Sequence, residues 1–241
     1  MAVTLAAMLG QIGLPGGGYT VGYAVNGNIG NMERLFAAGS IKQGTNPVTT
    51  VLPVTMISEM LLNPGGEYSY QGEQHKFPDA KLVWWAGGNP FHHHQDLNRL
   101  RKAFQAPQTI IVNEINWTST ARHADIVLPV AAPQERTDFG AGKSDNALIP
   151  MPMHAKPPGD ARTEYDIYAD LTKHLNGDSQ AFTEGRSSDE WLQHLWQLTC
   201  SNGRDAGVDL PPWEEFIQGD IVSIPDPVSY THLTLPTICS V

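Results

Sequence analysis

Cysteine is nearly absent from this 241-residue chain: Cys200 and Cys239 stand far apart, and neither belongs to a CxxC pair. Two such residues build neither a disulfide framework nor an iron–sulfur or structural zinc site. Basic residues are also few, 15 against 25 acidic ones for a formal charge of -10, and they are scattered singly or in pairs. Without a positive stripe, a nucleic acid is excluded as a partner. Long apolar runs are missing too. The opening MAVTLAAMLGQIGL is too short to span a bilayer and lacks a basic flank and a small-residue cleavage site, so it predicts a buried helix and no transmembrane segment.

What is there is enough apolar material for a core, 41% of the chain. Leu5, Met8, Leu9 and Ile12 recur at helical spacing until Pro15 and Gly16, Gly17 and Gly18 stop the helix; without the lysine and hydroxyl of a P-loop these glycines read as a helix stop. Residues 19–46 are rich in Gly and Asn, an irregular excursion with a short helix expected around 32–38. VTMISEMLLNPGG predicts a second amphipathic helix, and EYSYQGEQHKF a hairpin turning at Gly72. The middle of the chain is the most regular. AKLVWWAGG, TIIVNE and DIVLPV are apolar runs separated by helix-like segments, the pattern of buried strands in a parallel sheet. A polar, Gly-rich stretch follows from 133 to 160, then helices over 163–175 and 189–198. The expected class is α/β: a Rossmann-like parallel sheet with flanking helices, preceded by the irregular excursion.

One segment concentrates the chemistry. In GGNPFHHHQDLNRL, adjacent helix positions differ by about 100° in direction, so His92, His93 and His94 cannot converge on one ion, and a compact three-histidine metal site is disfavoured. Gly87 and Gly88 close a strand, Asn89 suits an N-cap and Pro90 the first helical position. This spells strand, tight turn and helix start, an arrangement that favours a phosphate or pyrophosphate. His93 shares a stripe with Leu97, Leu100 and Phe104 and is expected to face inward, as a ligand contact or as a hydrogen-bonded core residue. Ligands of open parallel sheets bind beyond the carboxyl ends of the strands, which makes Asn113 and Glu114 the next candidates. His123 is expected to pack between helix and strand.

These residues also carry a resemblance. LGQIGLPGGGY, WAGGNPFHHHQDLNRL, TSTARHADIVLPV, QERTDFG and ARTEYDIYADL, in this order over residues 1 to about 200, resemble the dimethyl sulfoxide, trimethylamine N-oxide and biotin sulfoxide reductases of the bis-molybdopterin guanine dinucleotide family. The resemblance implies a molybdenum enzyme that removes oxygen from N-oxides or S-oxides. It further implies that this chain is the part holding one guanine dinucleotide arm, without the molybdenum ligand, without an iron–sulfur cluster and inactive alone. Asn89 and His93 would contact the phosphate and pterin side, Asn113 and Glu114 the ribose, Arg136 would supply a cation, and Asp166 would read the guanine. Where family members more often carry an aromatic residue or proline after the acid at the second strand, here Glu114, this chain has Ile115-Asn116. Read without the resemblance, Arg136 is a loop residue paired with Glu135 or Asp138, and Asp166 a helix N-terminal acid.

The implied partners are a small N-oxide or S-oxide and an electron donor such as a c-type cytochrome; the implied location is the periplasm, or the cytoplasm for a biotin sulfoxide reductase-like enzyme. The expected division is a partial insertion region over 1–79, the dinucleotide-binding domain over 80–227, and a tail over 228–241, VSYTHLTLPTICSV, that resembles translated sequencing-adapter DNA. The alternative reading of the whole is a non-catalytic, Rossmann-like nucleotide-binding module.

Overall fold

The computed structural model describes residues 2–18, 34–142, 145–176 and 178–226. The tail expected to be non-native and most of the Gly- and Asn-rich excursion lie outside them. The elements are α1 (Ala2–Met8), α2 (Ile57–Leu62), β1 (Glu67–Tyr70), β2 (Glu73–Lys76), β3 (Leu82–Ala86), α3 (Pro90–His93), α4 (Leu97–Ala103), β4 (Thr109–Glu114), β5 (Ile126–Pro129), β6 (Asp138–Gly140), β7 (Ala147–Met151), α5 (Glu164–Asn176), α6 (Gln180–Thr183), α7 (Ser188–Asp205), α8 (Trp213–Phe216) and β8 (Val222–Ser223). They fall into two compact units that interleave along the chain: the described parts of 41–137 with 152–191, and the described parts of 1–40 with 138–151 and 192–241.

The first, the parallel-sheet unit, is built on β3, β4 and β5, which pair in that order and all in parallel. The expected α/β class and all three predicted strands are present. Asp125 pins the sheet's amino-terminal edge: its Oδ2 accepts from the Ile110 N–H at 2.8 Å, and its own N–H donates to the Ile110 carbonyl at 3.0 Å. Between β4 and β5 the chain makes only a single 3-10 turn, Ala121–His123, in place of the expected helix. Leu100, Ala103, Ile110 and Val112 are buried at the centre of the core, with Phe91, Phe104, Met60, Leu61, Tyr68 and Phe77 around them. The Arg99 guanidinium donates to Glu59, an ion pair between α4 and α2. The expected hairpin is β1–β2, in which Gln71 and Gly72, at φ 51° and 86°, make the two-residue turn that right-twisted strands require.

The second, antiparallel-sheet unit contains β6, β7 and β8. Its core is Phe36, Leu148, Trp196, Phe216 and Ile224; Trp196 stacks on Phe216 at 3.7 Å and donates its indole N–H to the Pro211 carbonyl at 3.0 Å. Buried Thr199 donates to the Leu195 carbonyl and accepts from the Gly39 N–H, both at 2.8 Å. A Cβ at Gly39 would stand 2.3 Å from that same carbonyl, so only glycine fits there.

Three expectations need correction. The described part of the helix foreseen around 32–38 runs as a bend without helical bonding. The stretch 133–160 contains β6 and β7, strands too short for alternation to show. Finally, α1 forms and ends before the glycines, but it is not buried: only Ala6 is covered, and Met8 is 79% exposed, because no described element packs over its apolar side chains.

Candidate functional site

All six candidate residues, Asn89, His93, Asn113, Glu114, Arg136 and Asp166, lie in the parallel-sheet unit. Four cluster where β3 and β4 end. Ala86 pairs with Asn113 and Glu114 with Pro129, so the turn after β3 and the acid after β4 emerge at the same sheet edge. Gly87 and Gly88 turn the chain there at φ 75° and 76°, a backbone that a side chain strains. A Cβ at Gly87 would meet nothing within 4 Å; at Gly88 it would approach only His93 Nε2 and Trp85 Nε1, each at 3.8 Å. The absent side chains thus leave a space flanked by an imidazole and an indole nitrogen.

The helix after the turn is not the one the spacing suggested. It stops after one turn, His94 being extended at ψ 154°, and α4 begins separately with Asp96 left-handed at φ 45° and its Oδ1 accepting from the Arg99 N–H at 3.1 Å. The stripe joining His93 to Leu97, Leu100 and Phe104 is therefore broken. His93 and Leu97 are exposed, whereas Leu100 and Phe104 are buried. His93 earns its place beside the glycine turn through the Gly88 contact, not through an inward helical face. The inward histidine is His94: its ring meets Trp85 edge-on at 5.9 Å, its Nε2 is buried without a hydrogen-bond partner, and desolvation, then neighbouring His93, holds its pKa below the ordinary value. His123 packs as expected, its ring stacked on Phe91 at 4.0 Å. Among the described residues, no group of three or more His, Cys, Asp or Glu side chains is placed to hold a metal ion.

At the second strand end the two candidates differ. Asn113 is only 4% exposed. Its Oδ1 accepts from Trp84 Nε1 at 2.9 Å, while its amide N–H groups donate to Glu164 Oε1 at 3.1 Å and to the Tyr168 hydroxyl at 2.9 Å. Expected at the ribose, it spends both donors inside the protein and ties β3, β4 and α5 together. Burial first, then nearby Glu164, pushes the Tyr168 phenol up, which keeps it protonated. Glu114 accepts from the Ile115 N–H at 3.0 Å and the Thr118 hydroxyl at 2.7 Å. A carboxylate has about four acceptor positions, so Glu114 retains capacity for a ligand hydroxyl.

Arg136 and Asp166 share a second feature, a cavity of about 410 Å³ also lined by Thr137, Arg162, Thr163 and Asp189. Asp166 is exposed at the first turn of α5; its Oδ2 accepts from the Thr163 hydroxyl at 2.7 Å and its N–H donates back to Thr163 at 3.1 Å. It is therefore both a capping acid and a carboxylate facing a cavity that contains a guanidinium. Sequence reasoning missed Trp84, Trp85 and Thr120: nothing in WW says which indole bonds Asn113, and nothing in TST says which hydroxyl turns inward.

A family model, molybdopterin oxidoreductase, matches residues 1–174. The chain belongs to the molybdopterin oxidoreductase family. Membership implies a molybdenum–pterin cofactor. This molybdopterin oxidoreductase chain is 43% identical over 97% of its length to biotin sulfoxide reductase of Cereibacter sphaeroides, covering 31% of that protein. It is 40% identical to dimethyl sulfoxide/trimethylamine N-oxide reductase of the same organism, with 93% of this chain and 29% of the relative covered. Trimethylamine-N-oxide reductase of Haemophilus influenzae is 42% identical over 90% of this chain and 28% of the relative. The chain thus spans about three-tenths of the length of the curated relatives it matches. Among solved structures, acetylene hydratase from Pelobacter acetylenicus is similar at TM-score 0.46 and 18% identity, over 63% of this chain and 19% of that one. Among the described residues, no helix is long and apolar enough to cross a membrane.

Proposed function

We propose that this chain binds one guanine dinucleotide arm of a bis-molybdopterin guanine dinucleotide cofactor, within an enzyme that removes oxygen from N-oxides or S-oxides. The observation that carries the binding role is the open Gly87–Gly88 turn, flanked by His93 Nε2 and Trp85 Nε1 at the carboxyl end of a parallel sheet. The oxidised substrate class is supported by the names of the relatives just given. The residues suit the group: a side-chain-free turn admits a phosphate closely, and the cavity of Arg136 and Asp166 offers a planar donor and a carboxylate to a polar base.

When bound, such a cofactor supplies oxygen-atom transfer and the accompanying redox change. The protein's own groups bind and orient it. Asn89 and His93 take the phosphate and pterin side, Glu114 the ribose with Asn113 as the clamp beneath it, Arg136 a cationic contact, and Asp166 the N1–H and N2–H edge of guanine. The segment 80–227 takes part through its residues 80–137 and 152–191. On this reading the electron donor is a c-type cytochrome or equivalent protein and the compartment the periplasm, or the cytoplasm for an enzyme of the biotin sulfoxide reductase kind.

The chain, produced in a bacterium that makes the cofactor, is expected to release about one GMP per molecule on acid hydrolysis, as one dinucleotide arm per site requires. A folded chain that carries no GMP overturns the reading. Binding of GMP or NAD with no pterin in the preparation would favour the non-catalytic nucleotide module instead. Because the proposed role is binding alone, the isolated 241 residues are expected to reduce neither trimethylamine N-oxide nor dimethyl sulfoxide, and turnover by them would refute that restriction.

A further inference from the structure

Thr120 lies at 0% exposure behind the glycine turn, and its hydroxyl touches two groups. It accepts from the Phe91 N–H at 3.5 Å and donates to the side-chain oxygen of Asn89. Asn89 precedes α3 at the position where an asparagine oxygen ordinarily takes the N–H of the second or third helical residue. Here it makes no such bond, and the Thr120 hydroxyl takes the Phe91 N–H in its place.

The atom of Asn89 that faces the Thr120 hydroxyl is Oδ1, and this sets the direction of the bond. A hydroxyl has one proton and two lone pairs, and a backbone N–H can only donate. Phe91 occupies one lone pair of Thr120, and because an amide oxygen can only accept, the Thr120 proton goes to Asn89 Oδ1. The atom of Asn89 that receives it is the oxygen, so the –NH2 edge faces away from Thr120 with two donors and no acceptor.

We propose that Thr120 is a positioning residue that holds the Asn89 amide as a two-donor group for an anionic oxygen at the Gly87–Gly88 turn. The proposal deepens the cofactor reading and rests on it for the identity of the ligand. The chemical class it names is a phosphate or pyrophosphate oxygen, because two donors complement such an oxygen and repel a cation. Sequence gives no hint of this, since Thr120 is 31 residues from Asn89 and carries no charge.

The test uses the whole chain made in a host that cannot synthesise the pterin, with inorganic pyrophosphate as the probe and calorimetry as the readout. Thr120→Val, which keeps the shape and removes the hydroxyl, is expected to weaken binding about tenfold, while Thr120→Ser stays within about twofold of the parent. In an Asn89→Ala background, Thr120→Val is expected to have no further effect, since coupled residues are non-additive. Asn89→Asp covers the case in which Thr120→Val does not fold: it keeps an acceptor for Thr120 but replaces the donors with an oxygen, and is expected to abolish binding while melting like the parent. Equal binding by the parent and Thr120→Val, an undiminished effect of Thr120→Val in the Asn89→Ala background, or no pyrophosphate binding by the parent would each overturn the proposal. Pyrophosphate binding with no GMP in cofactor-loaded chain would count against the dinucleotide reading alone.

Discussion

Asn113 on β4 and Tyr168 on α5 are joined by a 2.9 Å hydrogen bond from amide to phenol, and the same amide accepts from Trp84 on β3. This buried knot holds α5, which carries Asp166 on its first turn, against the sheet edge where Glu114 emerges. Replacing Asn113 by leucine leaves the Trp84 indole N–H without its acceptor and Glu164 and Tyr168 without their donor. The expected loss is about 2–4 kcal/mol of unfolding free energy, with weaker retention of GMP as a consequence. Urea denaturation followed by tryptophan fluorescence measures it, and an unchanged midpoint would show the knot to be dispensable.

Leu97 and Leu100 on α4 provide a paired test of which face is inward. Leu100 is fully buried and Leu97 is 43% exposed. Leu100→Ala is expected to cost about 2–5 kcal/mol, Leu97→Ala no more than about 0.5 kcal/mol. Comparable losses would contradict the break between α3 and α4.

His94 makes stability depend on pH. Its folded pKa lies below 6.5, chiefly through desolvation and then through His93, so the unfolded chain takes up the proton first as pH falls. The stability that His94 contributes is therefore fully present above 6.5 and is lost from there down through the depressed folded value. Denaturation midpoints at neutral and mildly acidic pH are expected to converge in His94→Phe relative to the parent. A pH slope untouched by that change would assign the effect to other groups.

Gly88 and Gly72 both stand at positive φ, 76° and 86°, but only Gly88 borders the candidate site. Each glycine-to-alanine change is expected to cost about 1 kcal/mol through backbone strain. Only Gly88→Ala is expected to weaken pyrophosphate binding, because its methyl would occupy the space between His93 and Trp85. Titration of both variants decides this, and equal affinities would remove the turn from the site.

Asp166→Asn keeps an oxygen for Thr163 but has a single acceptor where guanine presents two donors. GMP content after purification is expected to fall severalfold with little change in melting temperature. Full GMP content would leave Asp166 with its capping role only.

The parallel sheet was legible because apolar runs such as TIIVNE are long, sharply bounded and rich in β-branched residues. The glycine turn was legible for an equally local reason: GGNP prescribes backbone angles. What escaped was tertiary. The helix through HHHQDLNRL looked continuous because no proline or glycine interrupts it, yet Asp96 adopts a left-handed conformation and restarts it. Asn113 looked like a ligand contact since it ends a strand, and only the positions of Trp84, Glu164 and Tyr168 show its hydrogen bonds to be used within the protein. The strands β6 and β7 are too short, and too interrupted by glycine and proline, for any periodic signal.

The interleaving of the two units has a consequence for how the chain acquires its structure during synthesis. Ala37 and Gly39 find their partners Asn202 and Thr199 only after some 160 further residues have emerged, at separations of 165 and 160. The parallel-sheet unit, by contrast, is complete once residue 191 is available. Loops of that length close slowly, and contacts far apart in sequence form late. The segment around Ala37 and Gly39 must therefore wait for Thr199 and Asn202 to be made. The sheet that carries the candidate site can assemble without them.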